Sequence, residues 1–132
     1  MLHEAQLVAT ALNAAAAADL AVVAEVEVRG DALGDSRLAD VWVEVEGVPA
    51  MSFSVAAGHP VARVTCDEYV FEGVRLDEVQ EFARSLWSGR AEVRVSGRRW
   101  RWSWLRIDGG WEAGRRFRDD WEPWEGRLAG GR

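Results

Sequence analysis

At 132 residues, 48% of them apolar, the chain is long enough for one domain with a real core and too apolar for a disordered protein. A single cysteine, Cys66, excludes an intrachain disulfide, and no apolar run reaches the 18 or more residues of a membrane-spanning helix. The net charge of −6 conceals a division: residues 1–83 carry a net −11, residues 84–118 a net +7 and residues 119–132 a net −2.

All 16 basic residues are arginine, and one isoleucine stands against many Ala, Val and Gly. This usage matches a GC-rich, bacterial coding bias, so the presence of Arg rather than Lys says little about chemistry by itself. Residues 2–19 read as a helix. Alanine dominates, and Val8, Ala11, Leu12 and Ala15 fall at i, i+3, i+4 and i+7. The alanine run Ala14–Ala18 has no basic stretch before it and lies among Glu4, Gln6, Asn13 and Asp19, so it does not read as a secretory leader and a cytoplasmic location is expected.

Three period-two stretches follow. Residues 21–29 place Val22, Ala24, Val26 and Val28 on one face and Glu25, Glu27 and Arg29 on the other. After a loop marked by Gly30-Asp31 and Gly34-Asp35, residues 39–46 alternate Val41, Val43 and Val45 with Trp42, Glu44 and Glu46. Residues 50–56 bring in Met51, Phe53 and Val55. Short connections and one apolar face predict an antiparallel meander covered on one side. Residues 61–66 extend it, Asp67-Glu68 turns the chain, and residues 69–74 are short and extended.

Asp77 with Gln80 predicts a capping box for a second helix, whose stripe is Val79, Phe82, Ala83 and Leu86 and whose stop is Gly89. Residues 90–96 predict a strand and Gly97-Arg98 a tight turn. The run Arg98-Arg99-Trp100-Arg101-Trp102-Ser103-Trp104-Leu105-Arg106-Ile107 follows, closed by Asp108-Gly109-Gly110. On a strand the three tryptophans share a face. The shift of apolar positions to Leu105 and Ile107 predicts a bulge or a two-sided strand there. Residues 111–132, with Trp111, Phe117, Trp121, Pro123 and Trp124, read as an irregular tail with one helical turn near residues 119–121 and frayed final residues. The expected fold is α+β: an antiparallel sheet of five to six strands, two helices on one face, a domain over residues 1–110 and a tail over 111–132 that packs back on it.

The chemistry of the sequence is thin. No phosphate-binding glycine loop, nucleophile elbow or zinc-protease motif occurs. His59, Cys66, Asp67 and Glu68 match no metal-ligand spacing, so no metal or cofactor is expected. Cys66 shares parity with Ala62 and Val64, which predicts an inert buried thiol. The adjacent carboxylates Asp67/Glu68, Asp77/Glu78 and Asp119/Asp120 do not form a dyad, since neighbours on a strand point apart.

Two binding readings remain. In the first, Glu25, Glu27, Trp42, Glu44 and Glu46 form an exposed face of a non-enzymatic domain. It would act as an acidic inhibitor, immunity factor or adaptor toward another protein, a basic one by charge, with a homodimer a further option. In the second, Arg94, Arg101, Arg106, Trp111 and Trp121 line a pocket for an anion or small molecule between sheet and tail. The acidic front argues against nucleic acid, and the need to bury the tail makes Trp100, Trp102 and Trp104 the expected inner wall of the C-terminal half, with Arg94 and Arg101 attracting the N-terminal glutamates across one sheet. A regular strand holding its three indoles in solvent would instead restore the tryptophans as a binding surface.

Overall fold

The computed structural model describes residues 2–18, 24–30, 37–118 and 120–129. Helix α1 (His3–Ala18) buries Ala5, Val8, Leu12, Ala15 and Ala16. Five strands follow it: β1 (Ala24–Gly30), β2 (Leu38–Val45), β3 (Met51–Ala56), β4 (Val61–Cys66) and β5 (Tyr69–Arg75). They pair antiparallel in chain order, as the alternation predicts. Val41, Val43, Met51, Phe53, Val64 and Phe71 all face inward. The expected residues 19, 21–23 and 31–35 lie outside the described residues. Asp67 adopts a left-handed φ of 55° in the two-residue turn between β4 and β5, a conformation an aspartate tolerates better than most residues.

Helix α2 (Val79–Trp87) is entered through a 3-10 turn, Leu76–Glu78. The expected cap does not form. The carboxylate of Asp77 instead accepts both Nε and Nη2 of Arg75, at 3.1 and 2.9 Å, and no side chain caps the helix start. The other end is as read. Gly89 (φ 78°) lets the Arg90 and Gly89 amides return to the Ser85 and Leu86 carbonyls, the paired bonds of a Schellman stop.

The C-terminal half departs from expectation. Strands β6 (Ala91–Ser96), β7 (Trp102–Ile107) and β8 (Trp111–Arg116) form a second sheet of their own in the order β6-β7-β8. Residues 111–116 are therefore a strand, and a helix, α3 (Pro123–Leu128), lies downstream of the expected turn at residues 119–121. Pro123 at the first helical position and reciprocal Glu122–Glu125 bonds start it. The connection between β6 and β7 spans residues 97–101 rather than a tight two-residue turn. Because the sheets are separate, the glutamates of β1 and β2 do not share a sheet with Arg94 or Arg101. Arg94 meets Glu92 at 3.3 Å instead.

The two inner faces share one core. The Phe82 ring of α2 sits edge-on to Phe53 and Phe71 of the first sheet and to Trp111 of the second, at 6.2, 5.1 and 5.2 Å. Helix α1 packs across β1–β3 and against α2.

Candidate binding surface

The expected orientation of β7 is reversed. Pairing runs unbroken from Ala91↔Ile107 to Ser96↔Trp102 and from Trp102↔Arg116 to Ile107↔Trp111, so no bulge interrupts it. Ser103, Leu105 and Ile107 are fully buried, whereas Trp100, Trp102 and Trp104 are 66%, 44% and 39% exposed. The strand is two-sided, with its aliphatic side in the core. Leu105 and Ile107 fill the space between β6, β8 and α2, and the larger indoles lie on the outside.

Register makes the outer face of this sheet a small grid. Ser96, Trp102 and Arg116 form one row, Arg94, Trp104 and Gly114 the next, and Glu92, Arg106 and Glu112 the last. The last row is compensated, since Arg106 Nε donates to Glu112 at 3.0 Å and Glu92 serves Arg94. Trp104 lies across the grid. Its Nε1 donates to Ser96 Oγ of β6 at 2.8 Å, and its six-membered ring covers Gly114 of β8, where a Cβ would come within 2.8 Å of the ring. Trp102 is its neighbour at 6.3 Å between centroids, with ring planes 33° apart.

We expect Gly114→Ala to lift the Trp104 ring and break its bond to Ser96. A glycine to alanine change within a strand ordinarily helps or does nothing. Here a red-shifted indole emission and a fall in stability of about 1–3 kcal/mol from overpacking, read by urea titration, are the expected results. An unchanged emission spectrum would mean that the ring does not rest on this glycine.

The β6–β7 connection extends the grid. Gly97 (φ 98°) lies under the Trp100 carbonyl, where a Cβ would sit 2.2 Å from the oxygen, so the loop is folded tightly over a residue that has no side chain. This turns Trp100 back toward β8, where the Arg116 guanidinium covers its ring at 5.1 Å. Arg101 stacks on Phe117 at 4.9 Å, and Phe117 meets Trp121 edge-on at 5.6 Å. Between them opens a cleft of about 420 Å3 lined by Arg99, Trp100, Arg101, Arg116, Phe117 and Arg118. Four arginines and two aromatic residues line it. Glu68 approaches Arg118 only at 3.9 Å.

Directly beneath the indoles lies a buried polar hub. Arg115 donates Nε and Nη2 to the two carboxylate oxygens of Glu125, at 2.9 and 2.7 Å. The Tyr69 hydroxyl also donates to Glu125, so Ser103 Oγ, 2.7 Å away, donates to Tyr69. The Glu122 amide completes the carboxylate at 2.9 Å. Burial pushes the Glu125 carboxyl upward, but Arg115, Tyr69 and the Glu122 amide outweigh it and hold the group below the usual glutamate value. Burial, then the Glu125 carboxylate, pushes the Tyr69 hydroxyl well up. The hub ties β5, β7, β8 and α3 together and stiffens the grid from behind. Every member is satisfied, so it is scaffold rather than a ligand site.

The residues of the expected acidic face lie on β1, β2 and the turn after β2, but Trp42 is not exposed as expected. Glu25 is paired with Glu44 and Glu27 with Trp42, and Glu46 follows in the turn. Trp42 is half-buried under the Arg29 guanidinium at 4.6 Å, and Arg29, bonded to Glu27 at 3.0 Å, lowers the Glu27 carboxyl. The five residues of the alternative pocket are dispersed. Arg94 and Arg106 lie on the grid, Arg101 lines the cleft, Trp121 adjoins Phe117, and Trp111 packs against Phe82 in the core. Sequence reasoning missed Arg99, Arg116 and Arg118 as partners of Trp100. The competing inner stripe Ser103, Leu105 and Ile107 was the available signal.

Elsewhere the chemistry is muted. Cys66 is fully buried, and burial followed by Asp67 pushes its thiol far up, while His59 is exposed. Among the described residues no group of three or more His, Cys, Asp or Glu could hold a metal ion, and no helix is long and apolar enough to cross a membrane. A groove of about 890 Å3 beside α1 is lined largely by small and uncharged side chains, and the Arg75 and Asp77 in its wall bind each other. Set against known proteins, the chain matches no family model, no curated protein and no solved structure.

Proposed function

We propose that the protein is a non-enzymatic binding domain that holds an anionic ligand on the outer face of its second sheet, where Trp100 and the arginines of the cleft gather. The observation that carries this reading is the regular β7 strand with its indoles in solvent beside an arginine-lined cleft. Exposed aromatic surface of this size costs solubility unless something covers it, and arginine gives charge-assisted, bidentate contacts to phosphate, sulfate or carboxylate. Heparin, a generic polyanion, is expected to alter indole fluorescence at low salt and to be displaced as salt rises. The Arg99→Glu/Arg116→Glu variant is expected to bind at least tenfold more weakly. Equal binding by this variant would rule the cleft out.

A second reading is favoured by one observation on the first sheet. Glu25 stands directly opposite Glu44, and like charges in that position destabilise a sheet. A surface kept at such a cost suits a cationic protein partner, with Trp42 as the anchor. We expect Glu44→Arg to raise stability by up to about 1 kcal/mol through an attractive cross-strand pair. The same change combined with Trp42→Ala is expected to abolish retention of a basic partner on immobilised protein. Undiminished retention would remove this surface.

A further inference from the structure

We propose that the ligand of the second sheet is a single-stranded nucleic acid, its bases stacked on Trp104 and Trp102 and its phosphates held at the loop end by Arg98, Arg99, Arg116 and Arg118. This rests on the reading that the outer face of that sheet is the binding surface, and it names what the surface takes.

The first argument is the attitude of Trp104. The ring is held between its two neighbouring strands, by the bond to Ser96 Oγ on β6 and by its place over Gly114 on β8, and 39% of the residue stays exposed. A pre-ordered aromatic ring rewards a planar partner and does little for a flexible chain. Trp102 continues the platform 6.3 Å away, so two rings follow one another along the strand. Successive aromatic faces beside positive charge are how sequence-tolerant single-strand binding is built.

The second argument is where the charge lies. At the far end of the grid Glu92 and Glu112 offset Arg94 and Arg106. At the loop end Arg98, Arg99, Arg101, Arg116 and Arg118 stand within a few residues of one another along β7, β8 and their connections. A ligand that is apolar and planar along one edge and anionic along the other fits that gradient. A single strand has this character. A duplex hides its base faces, and an acidic peptide brings carboxylates without rings. Of the acids of the N-terminal region, Glu25, Glu27 and Glu44 belong to the outer face of the other sheet, and Glu68 reaches the cleft at 3.9 Å from Arg118.

The test uses the intact protein and a labelled single-stranded DNA of mixed sequence, about 12 nucleotides long, within the range one small domain covers. Comparison ligands are an abasic phosphodiester chain of the same length, the matching duplex and poly-glutamate. The single strand is expected to bind tightest and to quench indole emission. Its affinity should fall with salt at a log–log slope of about −2 to −3, the release expected for three or four neutralised phosphates. Trp104→Ala and Trp102→Ala are each expected to lose about 5- to 100-fold in affinity for the single strand and nothing for the abasic chain. Trp104→Ala also gives up the Ser96 bond and the cover over Gly114, so its stability is measured beside its binding. Unfolding would weaken the abasic chain as well, which a loss of stacking does not. If the abasic chain or poly-glutamate binds as tightly as the single strand, or the duplex binds more tightly, the single-strand assignment falls while the anion-binding surface stands. If no polyanion binds at low salt, both fall.

Discussion

Replacing Arg115 with methionine is expected to destabilise the fold by about 3–5 kcal/mol at neutral pH, the usual penalty for stranding one partner of a buried ion pair. Glu125 is fully buried and receives two of its bonds from that guanidinium. Without Arg115 its charge has only the Tyr69 hydroxyl and the Glu122 amide to face. The pH dependence has a definite sign. In the parent, Glu125 titrates below an ordinary glutamate, so its contribution is fully present above the unfolded pKa of about 4.3. It is lost as pH falls through the folded value. In the variant, burial acts with no arginine to oppose it and the carboxyl protonates more readily. The gap between the two proteins should therefore narrow as the pH is lowered from 7 toward 4. Adding Glu125→Gln removes the stranded charge, keeps an acceptor for Tyr69 and is expected to recover part of the loss. Urea denaturation at several pH values measures all of this. A single variant within about 1 kcal/mol of the parent at pH 7 would mean that the hub is far more hydrated than its burial indicates.

Phe82→Ala is expected to cost a similar 3–5 kcal/mol. The ring is completely buried and touches Phe53, Phe71 and Trp111. No other described aromatic ring pair joins the first sheet to the second through α2. The residual cavity would lie between the sheets, where neither backbone can close it without moving a whole layer. Thermal denaturation gives the stability change, and loss of the near-UV dichroism of the packed indole and phenyl rings reports where it arises. A loss under 1 kcal/mol would show that Trp111 and Phe71 can collapse onto one another.

The N-terminal meander was legible because each inner position is apolar and each outer one polar. Val41, Val43 and Val45 alternate with Trp42, Glu44 and Glu46, and the register follows that pattern. Strand β8 was hidden because its inward residues are Trp111, Ala113 and Arg115. A buried arginine breaks the apolar alternation, and the carboxylate of Glu125, ten residues on, with the Arg116 and Asp120 carbonyls, makes its burial tolerable. Gly109-Gly110 was the overlooked hint, since two glycines of positive φ after a strand suit a hairpin. Helix α3 carried a plain signal in Glu122-Pro123 with Glu125 three residues after its cap, but the surrounding charge and glycine masked it. For β7 both faces are apolar, so period two defines two faces without saying which one is inside. In the fold Ser103, Leu105 and Ile107 are the buried side, and Trp102 and Trp104 the exposed one. The acidic face emerged with its residues together because it lies on regular strands. The cleft did not, because Trp100 reaches Arg116 only through the fold of the Gly97–Arg101 connection.

The separation of the two outer faces has an electrostatic consequence for the whole molecule. Both sheets turn their backs on the same core, one showing Glu25, Glu27 and Glu44 and the other an arginine excess at its loop end, so the two described outer faces differ in charge although the chain is a net anion. In the field of a polyanion such a body experiences a torque before it makes any contact. An arginine-first approach would be the favoured one. If the proposed ligand is held on the second sheet, Glu25, Glu27 and Glu44 stand on the outer face of the other sheet and would keep a coated strand negative on its exterior.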